Sequence, residues 1–173
     1  SLYSTSYVVD GDTYTAVGAI GIGTRSEDMP NRGLATYSGD AVYAYTTQTG
    51  SGFAGVGTFN ADVDFEGNQM AAYVEVGTAQ NPFTRANIAD PAFDRIDMDR
   101  FTISGTGFSG NDMRTSRNGS EVQVTGNNPT AQVEGQFYGL ARRADGSLIP
   151  DEIAGEALLE CGTGNVILSF IAD

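Results

Sequence analysis

Residues 53–66 read FAGVGTFNADVDFE, and the alternation in this stretch decides the fold class. Every second position is apolar or glycine: Phe53, Gly55, Gly57, Phe59, Ala61, Val63 and Phe65. The second half of the other face is polar and mostly acidic: Asn60, Asp62, Asp64 and Glu66. Successive side chains of a strand point to opposite faces, so the stretch predicts a β-strand with an apolar inner face and an acidic outer face.

The same period of two recurs along the chain, whereas a helical period is nearly absent. Residues 34–46 predict another strand, which precedes the strand at 53–66. Six later segments continue the pattern, around 74–76, 101–105, 122–124, 133–137, 153–159 and 166–170. Asn118-Gly119 is a strong hairpin signal, because both central residues of a type I′ turn need positive φ, and it predicts that 113–117 pairs with 120–125. Further turns are expected at Glu66-Gly67-Asn68, Asp145-Gly146 and Gly162-Thr163-Gly164.

Eight strands with mostly short links predict an all-β fold, an eight-stranded antiparallel up-and-down barrel. Closure removes the exposed edges that an open sheet would have. Glycines on the inward faces suit a narrow barrel, whose strands bend sharply. A two-sheet sandwich is the alternative architecture.

Two regions fall outside the barrel pattern. Residues 1–32 predict an N-terminal β arm packed on the barrel, with a hairpin between 6–9 and 13–22, and residues 33–173 form the barrel itself. The longest connection spans 78–98, where Pro82 and Pro91 interrupt the pattern and 92–98 could form one short helical turn.

The charge balance excludes several functions. The chain has 173 residues, a formal net charge of −13 and no histidine, and all nine of its basic residues are arginine. An acidic surface repels phosphate backbones and anionic lipid, so we expect no nucleic-acid partner and no direct membrane binding. Without histidine there is no Ser-His-Asp site and no His-ligated zinc. Cys161 is the one cysteine, which rules out an internal disulfide, and we expect it to be buried and inert.

Other chemistry is present only in weak form. Paired carboxylates can hydrolyse glycosides, and candidates occur at Asp94, Asp97, Asp99, Asp151 and Glu152. Among 22 acidic residues such clusters arise by chance, and the chain has no tryptophan to stack on a sugar. An Asp10-Gly11-Asp12 calcium site is less favoured than a plain turn. Haem ligation by Met70, Met98 or Met113 is less favoured than core packing. We therefore expect no enzyme activity, no metal and no cofactor.

Two features could carry binding. Tyr37, Tyr43 and Tyr45 could line a cavity, although core filling is favoured. The long loop is the best candidate for partner recognition, because loops on a rigid barrel commonly carry binding residues. We therefore predict a contact surface formed by Phe83, Arg85 and Phe93.

Several short motifs, taken in order, resemble a known family. They are Gly33-Leu-Ala-Thr-Tyr-Ser-Gly39, Phe59-Asn-Ala-Asp-Val-Asp-Phe65, Phe101-Thr-Ile-Ser-Gly-Thr-Gly107, Gly135-Gln-Phe-Tyr-Gly139 and Glu152-Ile-Ala-Gly155. Their order resembles the eight-stranded barrel domains of the transferrin-binding protein B family and related surface lipoproteins of Gram-negative bacteria. The resemblance implies a barrel with a preceding β-rich extension, export to the cell surface, and capture of protein or haem.

The chain also departs from that pattern. Residues 140–151 are longer than expected, there is one barrel in place of two lobes, and no lipid-bearing N-terminal cysteine occurs in this chain. We expect a non-enzymatic binding domain of a secreted or surface-exposed bacterial protein, which captures a protein or small ligand through barrel-end loops. The alternatives are a structural or assembly module and a lipocalin-like carrier. We expect a monomer at the outer-membrane surface or outside the cell, held to a membrane only through a lipid anchor outside this chain.

Overall fold

The computed structural model describes residues 2–9, 12–19, 22–81, 84–123, 129–161 and 164–173, with backbone alone in 2–9, 12–19 and at 161. Apart from a 3-10 turn at Ser26–Asp28, the regular structure of these residues is β-sheet. The strands in chain order are β1 (Leu2–Val9), β2 (Asp12–Ala19), β3 (Leu34–Thr47), β4 (Gly52–Asp64), β5 (Gln69–Gln80), β6 (Arg95–Ser104), β7 (Gly107–Gly110), β8 (Asp112–Arg117), β9 (Ser120–Val122), β10 (Thr130–Tyr138), β11 (Ala141–Arg142), β12 (Leu148–Ile149), β13 (Glu152–Cys161) and β14 (Gly164–Ala172).

In the described part of the chain, eight strands form a closed antiparallel barrel, which confirms the predicted fold. The order around the ring is β5, β4, β3, β14, β13, β10, β7 and β6. Pairing of β5 with β6 closes the ring. Each of these eight strands therefore has a hydrogen-bonded neighbour on both sides.

Two short strands, β7 and β8, share the position beside β6 in the barrel. β7 pairs with the second half of β6 and with β10, whereas β8 pairs with the first half of β6. The Asn118-Gly119 turn between β8 and β9 has φ angles of 51° and 76°, and it pairs Arg117 with Ser120 as predicted. The strand predicted around Val122 therefore exists, but it pairs with β8 alone, and the ring runs through 107–117. Val124 lies outside the described residues.

Alternating side chains fill the barrel interior. The rings of Phe59 and Phe170 stack with centroids 4.1 Å apart, and Phe108 lies 5.6 Å from Phe137. The inward glycines make room for these rings: a Cβ on Gly135 would lie 2.2 Å from Cζ of Phe108. Core packing thus explains this glycine more directly than strand bending does.

The predicted helical turn at 92–98 is wrong. Residues from Arg95 onward belong to β6. Ile96 and Met98 are fully buried while Arg95 and Asp97 lie on the outer wall, so this segment has the period of two that is typical of a strand.

The N-terminal residues form the expected hairpin with a longer first strand. β1 and β2 pair from Leu2↔Ala19 to Val9↔Asp12. The turn residues Asp10 and Gly11 lie outside the described residues, as does the side chain of Asp12, so the calcium alternative stays untested. β2 contacts β13 and β14, where the outward-facing Ala154 and Ser169 are buried.

The two ends of the barrel are built differently. The loop end carries the turn at 48–51, the loop at 81–94 and the Asn118-Gly119 turn. The opposite end, called the covered end here, carries the insertion at 139–151, which forms the short β11–β12 hairpin. Tyr37 donates a hydrogen bond of 2.8 Å from its hydroxyl to the carbonyl of Pro150, which ties the insertion to the barrel interior.

Candidate functional site at the loop end

The loop at 81–94 is fixed to the barrel at its second half. The backbone carbonyl of Asp94 accepts a hydrogen bond of 2.9 Å from the amide of Val76 on β5. The backbone amide of Asp94 donates one of 3.0 Å to the carbonyl of Ser116 on β8. Its carboxylate accepts from the amide of Asn118 at 2.8 Å. Asp90 forms an ion pair with Arg117. The loop therefore joins β5 to the β8–β9 hairpin.

The first half of the loop is organised by Asn81. Its carbonyl accepts from the amide of Arg85 at 2.9 Å, and its side-chain oxygen accepts from the amide of Thr84 at 2.9 Å. Arg85 has a φ of 60°, a backbone conformation that few residues other than glycine, asparagine and aspartate adopt. These bonds hold the backbone of Thr84 and Arg85 against Asn81, and the side chain of Arg85 is exposed.

The three predicted contact residues have different surroundings. Phe83 lies outside the described residues. Arg85 is exposed, as a contact residue must be. Phe93 is fully buried, and its ring lies 5.2 Å from Phe53, 5.9 Å from Tyr45 and 6.2 Å from Tyr43. Phe93 therefore anchors the loop in the interior and is not part of the contact surface, because a loop that crosses an open barrel end needs an apolar plug there.

The tyrosines fill the core, as the favoured interpretation predicted. Tyr43 donates a hydrogen bond of 2.9 Å to the carbonyl of Thr78, and burial raises its pKa to about 12. Burial also raises the pKa of Tyr37, with smaller opposing effects from Arg143 and Asp151. Tyr45 is half-buried beside Phe53 and Phe93.

Three of the five acidic residues considered for hydrolysis, Asp94, Asp97 and Asp99, have structural partners. Asp94 holds the loop, as described above. Asp97 pairs with Arg95 at 2.6 Å and accepts from the hydroxyl of Ser116 at 3.1 Å. Asp99 pairs with Arg114. Asp97 and Asp99 thus pair with arginines on the outer wall of β6 and β8, so their arrangement favours a role in sheet pairing over acid–base chemistry.

The methionines considered as haem ligands lie inside the core. Met70, Met98 and Met113 are each at most 4 % exposed, and Met98 pairs directly with Met113 across β6 and β8. This placement supports the packing interpretation. No group of three metal-ligating side chains occurs among the residues that the structure describes. The side chain of Cys161 lies outside them, so its predicted burial stays untested.

An outer-wall groove was not anticipated from the sequence. It has a volume of about 510 Å³ and crosses β3, β4, β5 and β6 near the covered end. Leu34 is 71 % exposed at its edge. The polar side chains of the lining belong to Asp62, Asp64, Gln69, Asp99 and Arg100. The groove lies where the pairing of β5 with β6 is irregular next to Ala71. Strand periodicity could not reveal it, because the irregularity depends on register between two strands.

Comparison with known protein families shows the family to which this chain belongs. Residues 29–144 match the sequence profile described as the C-lobe and N-lobe β-barrels of Tf-binding protein B. This chain belongs to that family. The family assignment agrees with the motifs that carry the resemblance, although residues 145–173 lie beyond the matched segment. A search of curated protein sequences found no match.

Solved structures of the family share the fold. The isotype 1 transferrin binding protein B of serogroup B Neisseria meningitidis matches with a TM-score of 0.57 and 17 % identity over 99 % of this chain and 32 % of that one. A double mutant of the Haemophilus parasuis Hp5 protein matches with a TM-score of 0.57 and 17 % identity, over 99 % and 36 %. Intact Ap-TbpB, with N and C lobes, gives 0.55 and 18 %, over 99 % and 38 %. This chain thus spans about a third of their length.

One further observation bears on membranes. Within the described stretches of the chain, we find no helix with the length and apolar character that a membrane-crossing helix requires.

Proposed function

We propose that this domain is a non-enzymatic binding module that captures a protein ligand through its loop end. The observation that carries the proposal is the described part of the long loop, 84–94, which is bonded to β5 and β8 while Arg85 is exposed. A backbone segment that is held in place before binding loses less conformational entropy on binding than a flexible one does. Membership of the Tf-binding protein B barrel family supports the same role.

The charges at the loop tip favour a polar contact. Arg85 has no carboxylate within ion-pair distance in the described part of the chain, while Asp90 is 77 % exposed and shared with Arg117. An unpaired guanidinium can donate to carboxylates or carbonyls of a partner at little desolvation cost. We therefore expect Arg85 to contribute to affinity, with Phe93 acting only through the order of the loop.

The matched family indicates the first ligand to test. The matched structures are of transferrin-binding protein B, and each of those chains is about three times as long as this one. We propose transferrin as the first candidate and a different host protein as the next. The aromatic filling of the barrel counts against the carrier alternative. A structural or assembly module remains the second alternative.

The setting of the domain is part of the same proposal. We propose that it works as a monomer at the outer-membrane surface or outside the cell, attached only through a lipid anchor beyond this chain. We also keep the division into an N-terminal arm at 1–32 and a barrel at 33–173 as a proposal. Size-exclusion chromatography with light scattering would test the monomer.

The binding proposal is tested by biolayer interferometry with the purified domain on the sensor. Iron-loaded and iron-free transferrin are the first analytes, followed by proteins captured from host serum and identified by mass spectrometry. Arg85→Asn removes the charge while tolerating the positive φ, and we expect it to weaken binding about tenfold, the loss of one charged hydrogen bond. Arg25→Asn, an exposed arginine next to the 3-10 turn, is the matched control and should bind like the wild type.

Two results would count against loop-end capture. Equal losses in the Arg85→Asn and Arg25→Asn variants would mean that only overall charge matters. A small molecule retained by the domain in native mass spectrometry, without any protein partner, would favour the carrier alternative.

A further inference from the structure

A small pocket at the covered end brings together two arginines that are distant in the sequence. It has a volume of about 140 Å³ and lies between residues 30–32, the end of β4 and the turn that leads into β12. Its polar side chains are Asn31, Arg32, Arg143 and Ser147, and its apolar floor includes Phe65 and Ile149. The pocket lies at the opposite end of the barrel from the loop at 81–94.

These two arginines differ from those of the outer wall. The chain has 22 acidic and 9 basic residues, so there are more than enough carboxylates for every arginine to form an ion pair. On the wall near β6 and β8, the arginines at 95, 100, 114 and 117 each have an aspartate within ion-pair distance. Within the described residues, neither Arg32 nor Arg143 has one. Both arginines line the same small pocket, and their positive charges make it a favourable place for an anion.

Arg143 is held in place by backbone groups. Its guanidinium donates to the carbonyl of Leu34, and one of its nitrogens lies 3.2 Å from the position that a Cβ on Gly33 would take. Its amide donates to the carbonyl of Ser147 at 2.8 Å, which closes the turn. A guanidinium has five N–H donors, so several remain for a ligand after the bond to Leu34.

One acid close to Arg143 already has hydrogen-bond partners of its own. Asp145 accepts bonds of 2.6 Å from the hydroxyl and 2.9 Å from the amide of Ser147. These two bonds lower the pKa of Asp145, and the charge of Arg143 contributes less. Asp145 is exposed and forms no ion pair with Arg143 within the described residues, so the Arg143 guanidinium keeps donors for a ligand.

We propose that this pocket binds an oxyanion group, either a carboxylate or a tetrahedral oxyanion such as phosphate. Planar guanidinium groups bind such oxygens in pairs, which gives both affinity and orientation. The volume is below the roughly 300 Å³ of sites for drug-sized ligands, so the occupant is one small ion or the acidic group of a larger ligand. The site is separate from loop-end capture and does not depend on it.

The test is a titration of the isotopically labelled domain at low ionic strength, with inorganic phosphate, acetate and chloride as separate probes. Nitrogen–proton NMR correlations of the arginine side chains and of 30–34 and 143–149 report the site directly. We expect saturable shifts confined to these residues with phosphate or acetate and none with chloride. The tighter of the two probes identifies the class of oxyanion.

Three variants assign the effect. Arg143→Gln and Arg32→Gln should each weaken binding about tenfold, the loss of one charge-assisted bond. Arg142→Gln is the matched control, because its side chain donates to the carbonyl of Gly146 and does not line the pocket. If Arg143→Gln fails to fold, Arg32→Gln still tests the site, since Arg32 is exposed. Shifts that never saturate, or an equal loss with Arg142→Gln, would overturn the proposal.

Discussion

Replacing Phe93 by alanine should destabilise the domain strongly, even though this residue belongs to a loop. The side chain is fully buried and lies within 6.2 Å, between ring centroids, of Phe53, Tyr45 and Tyr43. Burying a phenylalanine removes about 150–250 Å² from water, or about 4–6 kcal/mol at about 25 cal/mol per Å². Alanine retains part of that gain, and measured Phe-to-Ala losses in cores are about 3–5 kcal/mol.

We expect a loss of about 3–4 kcal/mol in the free energy of unfolding, because the end of the barrel can relax partly around the cavity. That is a large share of the roughly 5–15 kcal/mol that holds a typical domain together. The loop at 81–94 should also exchange its amide hydrogens faster, since its interior anchor is gone.

Urea unfolding followed by circular dichroism measures the loss, and tyrosine fluorescence gives a second probe of global unfolding, because the chain has eight tyrosines and no tryptophan. Phe93→Leu keeps an apolar plug and should cost less than about 1.5 kcal/mol. A loss below about 1 kcal/mol for Phe93→Ala, with an unchanged denaturant slope, would refute the interior placement of this ring.

Two other predictions concern the barrel itself. Gly135→Ala should cost about 1–3 kcal/mol by overpacking, because the new Cβ would lie 2.2 Å from Phe108 and 2.6 Å from the carbonyl of Ala154. Gly23→Ala, whose Cβ would meet only the flexible end of Gln136 at 3.2 Å, is the control, and equal losses in urea unfolding would contradict this reason. Stability should fall as the pH rises from about 10 to about 12, because burial raises the pKa of Tyr43 from 10.0 to about 12 and the unfolded chain therefore loses its proton first. Urea midpoints across this range should fall less steeply for Tyr43→Phe, and an unchanged slope would show that Tyr43 does not cause the effect.

Local alternation along the chain was sufficient to predict most of the strands. The faces of 53–66 follow from the rule that neighbouring side chains point in opposite directions, and Phe59, Ala61 and Val63 are buried accordingly. The Asn118-Gly119 turn was predictable for a similar reason, because positive φ at both positions is a property of those two residues. At 92–98 two signals conflicted, because the segment follows Pro91 in a long loop but charged and apolar residues alternate in it from Arg95 to Met98. The alternation of Ile96 and Met98 correctly indicated a strand.

The contact surface in the long loop stays a prediction, and the structure gives only the surroundings of two of its residues. Arg85 is exposed and Phe93 is fully buried. The sequence could not reveal the burial of Phe93, since an aromatic residue in a loop gives no local sign of whether it faces solvent or the barrel interior. Its three aromatic neighbours belong to β3 and β4, about forty residues or more away along the chain.

The sequence by itself determined the strands, their inner and outer faces, the principal turns and the family. The tertiary structure alone decided which strand completes the ring at 107–117, why Gly135 has no side chain, and that Arg32 and Arg143 line one pocket. The physical reason is the range of the interactions. Alternation and turn geometry depend on neighbouring residues, whereas strand register, ring contacts and the pairing of charges depend on which distant segments the closed barrel brings together.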